Sequence, residues 1–278
     1  MRWRDTYFNK GQDNQDLLEH VGNGFLSFAG CVRNVTKFVF EIFYSIGLII
    51  SRRAATRRID LWIEIDKAGL RAIPIVCLIS FMIGLIIAFV GHMQLAMFGA
   101  EIYVAALVAI SMVRILGAVM TGIIMAGRTG ASYAAEIGAM RVNEEIDALK
   151  TMGISPIQFL VAPRVLALTI TMPILTIISD IVAIFGGMCV AVSIMNVSLA
   201  EYWRTTLDWI SFNNFAVGVL HGWLFGWVIA IAGCWYGLHT AKTADGVGRA
   251  TTRAVVSGIV GCIVVTAMLT LIFNWLDI

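Results

Sequence analysis

Apolar residues gather along this chain into five long runs separated by polar stretches. The runs at about 72–92, 103–126, 160–193, 213–238 and 252–274 each reach roughly the 20 apolar residues that a helix needs to cross a hydrocarbon core. They predict an all-α integral membrane protein with five transmembrane helices. Hydrophobic residues make up 59% of the 278 positions, which would over-fill a soluble core.

Upstream of the first run, Phe25, Phe28, Ala29, Val32, Val35, Val39, Ile42 and Ile46 recur at steps of three and four. Arg33, Asn34, Lys37 and Glu41 occupy the other side, which predicts an N-terminal amphipathic helix lying in the membrane interface. The alternative, a sixth span over 35–50, is a short run that would have to carry Lys37 and Glu41. The pairs Arg52-Arg53 and Arg57-Arg58 fall where anionic headgroups would lie. A second amphipathic stretch, Ile59 to Arg71, enters the first span through Pro74, a residue tolerated at a helix start. The chain thus divides into a cytoplasmic, interfacial region at 1–71 and a five-span domain at 72–278 that includes a polar insert at 127–159.

Inside the spans, Pro173 predicts a bend or an opened hydrogen-bond ladder in the third. Gly218, Gly222, Gly226, Ala230 and Cys234 form a small-residue stripe on the fourth. Such a stripe lets a second helix come close, either within one subunit or at a dimer seam. Tyr202, Trp203 and Trp209, in the loop between spans three and four, are placed at a membrane interface.

Basic residues fix the orientation, because Lys and Arg in short loops resist translocation. They crowd the N-terminal segment, the insert (Arg128, Arg141, Lys150, Arg164) and the 239–253 loop (Lys242, Arg249, Arg253), whereas the opposite side carries only Arg204. The N-terminus is therefore expected in the cytoplasm and the C-terminus outside, with no cleavable signal peptide. A net charge of +2 gives no support for nucleic-acid binding. Five cysteines stand singly, without the spacing of a disulfide framework or a metal site.

Arg114 falls midway along the second span, where a charge is costly and must face protein, a cavity or headgroups. Two readings stand: an internal pair, with Asp180 as the acid and His221 available to bridge, or contact with an anionic substrate. No catalytic constellation is visible, and without a Gly-Lys dipeptide there is no Walker A loop. Any ATP-driven step therefore needs a second chain.

Within the insert, Glu144, Glu145 and Asp147 precede Lys150, with Gly153 and Pro156 as helix terminators. Ile146, Leu149 and Met152 at three-residue spacing predict an exposed apolar knob with a charged rim, suited to docking a soluble partner.

The stretch TGIIMAGRTGASYAAEIGAMRVNEEIDALKTMGISPIQFLVAPRVLAL, with a second block GCWYGLHTAKTADGVGRATTRAVV, resembles the MlaE/YrbE family of permease subunits from bacterial ABC lipid-transport systems. The similarity runs from about Ile83 to Ser257. It implies a homodimer in the bacterial inner membrane, an ABC ATPase subunit that binds ATP-Mg (this chain itself carrying no cofactor), and an MCE-domain substrate-binding protein. Some such systems add a STAS-domain protein. It further implies a coupling helix at Asn143–Gly153, with Glu144, Glu145, Ile146, Asp147, Leu149, Lys150 and Met152 meeting the ATPase. A lipid cavity would involve Ile87, Leu95, Phe98, Arg114 and Leu116, with Arg249 and Arg253 near the cytoplasmic edge. Where the family commonly reads Arg-Glu-Leu-Gly-Pro, this chain has Arg114-Ile115-Leu116-Gly117-Ala118, so the acid beside the arginine is missing.

The function expected is that of a permease moving phospholipid or a related lipid between the inner and outer membranes, with no enzymatic activity of its own. The rivals are an ion- or proton-coupled secondary transporter and a membrane scaffold of an envelope complex.

Overall fold

The structure, a computed structural model, describes residues 30, 33–49, 58–195 and 197–276. Among these residues the chain is helical, without strands: α1 (33–49), α2 (Arg58–Ala68), α3 (Ile73–Leu95), α4 (Tyr103–Val142), α5 (Glu145–Thr151), α6 (Ile157–Ser193), α7 (Leu199–Trp209), α8 (Phe212–Leu238) and α9 (Ala244–Trp275). Phe25, Phe28, Ala29, Val32, Cys31, Arg52, Arg53 and Arg57 lie outside the described residues, as does the side chain of Arg58.

Five stretches, Ile59–Phe98, Tyr103–Val142, Ile157–Ser193, Phe212–Leu238 and Ala244–Trp275, are long and apolar enough to cross a membrane. The chain is a multi-pass membrane protein. Its helices overrun the apolar runs: α4, at 40 residues, is about 60 Å long, twice the hydrocarbon thickness. The first part of the polar insert is thus a rigid extension of the second span, because Ala131–Val142 keeps helical spacing after the apolar residues end.

Backbone contact holds the bundle together. A Cβ on Gly84 would collide with the carbonyl of Ala183, and one on Gly186 with that of Phe81, so α3 and α6 cross at close range. Gly218 lies against the Val113 carbonyl, Gly222 against the Thr176 side chain and Gly226 against the Leu168 carbonyl. The small-residue stripe of α8 is therefore spent inside one chain, on α4 and α6. α6 continues as one helix through Pro173.

α1 buries Phe38, Ile42 and Ile46 in the main core. Phe38 meets Trp235 edge-on at 5.1 Å and Phe43 stacks on Trp227 at 4.6 Å, which docks α1 along α8. The segment expected as an outer loop is the helix α7, capped by Ser198 Oγ, which accepts from the Glu201 amide. Tyr202 departs from its expected place at the interface. It is fully buried, donates to the Ile184 carbonyl at 3.2 Å, and burial pushes its phenol up to about 12. Its neighbours Trp203 and Trp209 remain half exposed, beside Phe185 and Tyr103.

Candidate functional site

At the α7 end, α3 and α4 diverge around an open apolar pocket of about 440 Å³. Ile86, Ile87, Val90, Leu95 and Leu107 form its walls, and Gln94 and Ser111 are the polar side chains in the lining. Of the five residues expected at a lipid cavity, Ile87 and Leu95 line this pocket. Leu116 packs against the same outer core without reaching it, and Phe98 sits on the tight turn after α3 with 82% of its surface exposed.

Arg114 lies in a π-turn, Met112–Leu116, which aims it at the first turn of α8. Its Nη1 donates to Asn214 Oδ1 at 2.7 Å. Asn214 is thus a partner of Arg114 that the sequence does not point to. Asp180 instead lies over Gly117, where a Cβ would collide with its Oδ1. Beside it, the Ser80 and Ser179 hydroxyls share a buried hydrogen bond of 2.7 Å. His221 donates from Nδ1 to the Val217 carbonyl at 2.7 Å and packs against Phe225. Among the described residues no direct hydrogen bond joins His221 to Asp180.

At the opposite end, α4 and α5 are separated by Glu144, whose φ of 62° is left-handed and breaks the helix. Gly153, at φ 74°, ends α5 as its sequence position predicts. Lys242, from the α8–α9 loop, donates to Glu144 Oε1 at 3.2 Å and to Asp147 Oδ2 at 2.8 Å. The hydrogen bond from Lys242 holds the Asp147 carboxyl below the usual carboxylate range, and the same pairing raises Lys242.

The expected apolar knob is corrected here. Ile146 is 4% exposed and belongs to the main core, and Leu149 packs partly against it, leaving Met152 as the exposed member at 65%. A seven-residue helix cannot hold itself by its own hydrogen bonds, so its apolar face anchors it to the bundle. What it offers outward is Glu144, Glu145, Asp147, Lys150 and Met152. Beneath it, a cavity of about 370 Å³ separates Ile146 and Lys150 from Leu238 and His239.

Arg249 and Arg253 are exposed near the start of α9. Arg249 pairs with Asp245, and both arginines border a hollow of about 180 Å³ beside Tyr236.

Reading the sequence misses a buried ionic knot. Arg164, 6% exposed, donates from Nη2 to Glu136 at 2.9 Å, stands 3.8 Å from Glu64, and lies over the Tyr133 ring. It joins α2, α4 and α6. Its one sequence signal is an arginine beside Pro163 at the edge of an apolar run, which does not name partners 28 and 100 residues away. Among the described residues, no cluster of three or more His, Cys, Asp or Glu could hold a metal ion.

The Permease MlaE family model matches residues 61–272. A probable ABC transporter permease of Rickettsia typhi is 38% identical over 208 residues, covering 75% of this chain and 77% of that protein. The intermembrane phospholipid transport system permease protein MlaE of Haemophilus influenzae is 31% identical over 219 residues, covering 77% and 83%. A probable ABC transporter permease of Synechocystis is 32% identical over 196 residues, covering 70% and 74%.

Proposed function

This chain belongs to the MlaE permease family, and from that premise we propose that it is the permease subunit of an ABC system that moves phospholipid or a related lipid across the bacterial envelope. One observation carries the reading. α4 is a single 40-residue helix that walls the apolar pocket with Leu107 and Ser111 at one end and leads into the charged helix α5 at the other. A push on α5 would therefore be felt at the pocket, because a packed helix transmits displacement along its axis.

In this reading the chain sits in the inner membrane with its N-terminus and α5 in the cytoplasm and its C-terminus in the periplasm. It binds no nucleotide itself; a separate ATPase subunit, loaded with ATP-Mg, grips Glu145, Lys150 and Met152. A second copy of the chain closes the pocket that α3 and α4 leave open sideways. An MCE-domain protein receives or delivers lipid at the α7 end, with a STAS-domain protein as an accessory in some systems. Ile87 and Leu95 meet acyl chains, and Arg114 lies further along α4 from the pocket residues Leu107 and Ser111.

Glu145→Lys combined with Met152→Asp tests the reading, since both side chains are exposed and the fold does not depend on them. The double variant is expected to insert normally and to lose lipid-stimulated ATP hydrolysis in the assembled complex. Unchanged stimulation would falsify the docking role.

A further inference from the structure

Between α2 and the middle of α4 lies a hollow of about 240 Å³ that none of the preceding roles uses. Lys67 and Arg71 contribute from the α2–α3 junction, and Arg128, Thr129, Ser132 and Glu136 from α4. Arg71 lies two residues before the apolar α3, and Arg128 two residues after the apolar part of α4 ends at Ala126. The hollow is therefore level with the boundary between apolar and polar surface, the depth of lipid phosphates in a bilayer.

The charges around it do not cancel. Glu136 is engaged by Arg164 at 2.9 Å and by the Ser132 hydroxyl at 3.2 Å. Lys67 and Arg71 have only exposed or loose pairings, with Glu64 at 3.6 Å and Asp66 at 3.1 Å. Arg128 forms no ion pair among the described residues, and its Nη1 is buried without a hydrogen-bond partner. A buried guanidinium N–H left unmatched by the chain is costly and calls for an acceptor from outside it, a water or an anion. Arg128 is carried on a second π-turn, Ala126–Gly130, a local widening of α4. The hollow offers about eight water volumes, room for a tetrahedral oxyanion with some solvent.

We propose that Lys67, Arg71 and Arg128 form a phosphate-recognising site, which takes either the phosphate of a lipid headgroup or a free phosphate. Arginine suits this task because its planar donors match two phosphate oxygens at once. The site stands apart from the apolar pocket and does not depend on the transport reading.

The full chain, purified in a neutral detergent, is titrated with dioctanoyl phosphatidic acid and, separately, with inorganic phosphate while its melting temperature is followed. A saturable rise with the lipid and none with phosphate assigns a headgroup; a saturable rise with phosphate assigns the free anion. In either case Arg128→Gln is expected to weaken the affinity by about tenfold or more, as befits one lost charge-assisted contact, and Arg128→Lys to recover part of it. Lys67→Gln with Arg71→Gln changes exposed side chains only and is expected to weaken binding in the same direction. No saturable rise with either probe overturns the proposal. So does a rise that is the same in wild type, Arg128→Gln and the double variant, which would place the lipid elsewhere, for example in the apolar pocket.

Discussion

Arg114 and Asn214 are 100 residues apart in sequence and share a 2.7 Å hydrogen bond that ties the first third of α4 to the first turn of α8. Asn214 offers Arg114 an oxygen without a charge. Asn214→Leu is expected to cost about 1.5–3 kcal/mol, the range for hydrogen bonds to charged groups. Thermal unfolding in detergent measures it, and a midpoint equal to wild type would show that the bond contributes nothing.

The Arg164 knot gives a larger effect. Arg164→Met takes the cation from Glu136 and leaves Glu64, with a side chain 13% exposed, only Lys67 at 3.6 Å. Breaking one partner of a buried pair typically costs about 3–5 kcal/mol. Sharply reduced yield of folded protein is expected, with partial rescue when Glu64→Gln is added. Rescue should be incomplete because Glu136 also loses its partner.

The clasp of Lys242 on α5 sets a pH window. Asp147 is depressed, so its contribution is complete above the ordinary carboxylate value of about 3.9 and disappears as pH falls through the lower value it has in the folded protein. Lys242 is raised, so its contribution is complete below the ordinary lysine value of about 10.4 and disappears as pH climbs through its raised value. Amide exchange of α5, corrected for its intrinsic pH dependence, is therefore expected to show constant protection from pH 5 to 9, with less protection at high salt because the pair is exposed. Lys242→Met should speed that exchange at every pH in the window. A wild-type exchange profile in this variant would remove the clasp.

Close helix crossings predict where bulk is forbidden. Gly84→Ile drives a side chain into the Ala183 carbonyl, and Gly222→Trp drives one into Thr176. Each is expected to cost more than the roughly 1–3 kcal/mol of ordinary overpacking, Gly84→Ile because backbone cannot yield as a side chain does, and Gly222→Trp because a large ring meets Thr176, which is fully buried and bonded to the Met172 carbonyl. Size-exclusion profiles of the solubilised protein report the outcome. Gly222→Trp therefore reads folding of one chain and says nothing of a seam between two.

How much was legible in the sequence depended on the range of the interaction. Apolar run length dictated five crossing helices, since a bilayer sets the length that must be apolar regardless of what packs beside it. Gly153 announced the end of α5 through its own backbone freedom, a local property. The facing of each side chain was a different matter. Ile146, Leu149 and Met152 are equally apolar, yet only the tertiary structure decided that Ile146 turns inward and Met152 outward. Likewise, one-dimensional spacing could not bring Asn214 to Arg114, nor Glu64 and Glu136 to Arg164. These pairings join distant segments and follow from helix crossings, here fixed by glycines whose backbones touch. Sequence alone determined which segments enter the membrane, because the bilayer sets the length that must be apolar; tertiary structure decided which polar groups meet, because that depends on how the helices pack.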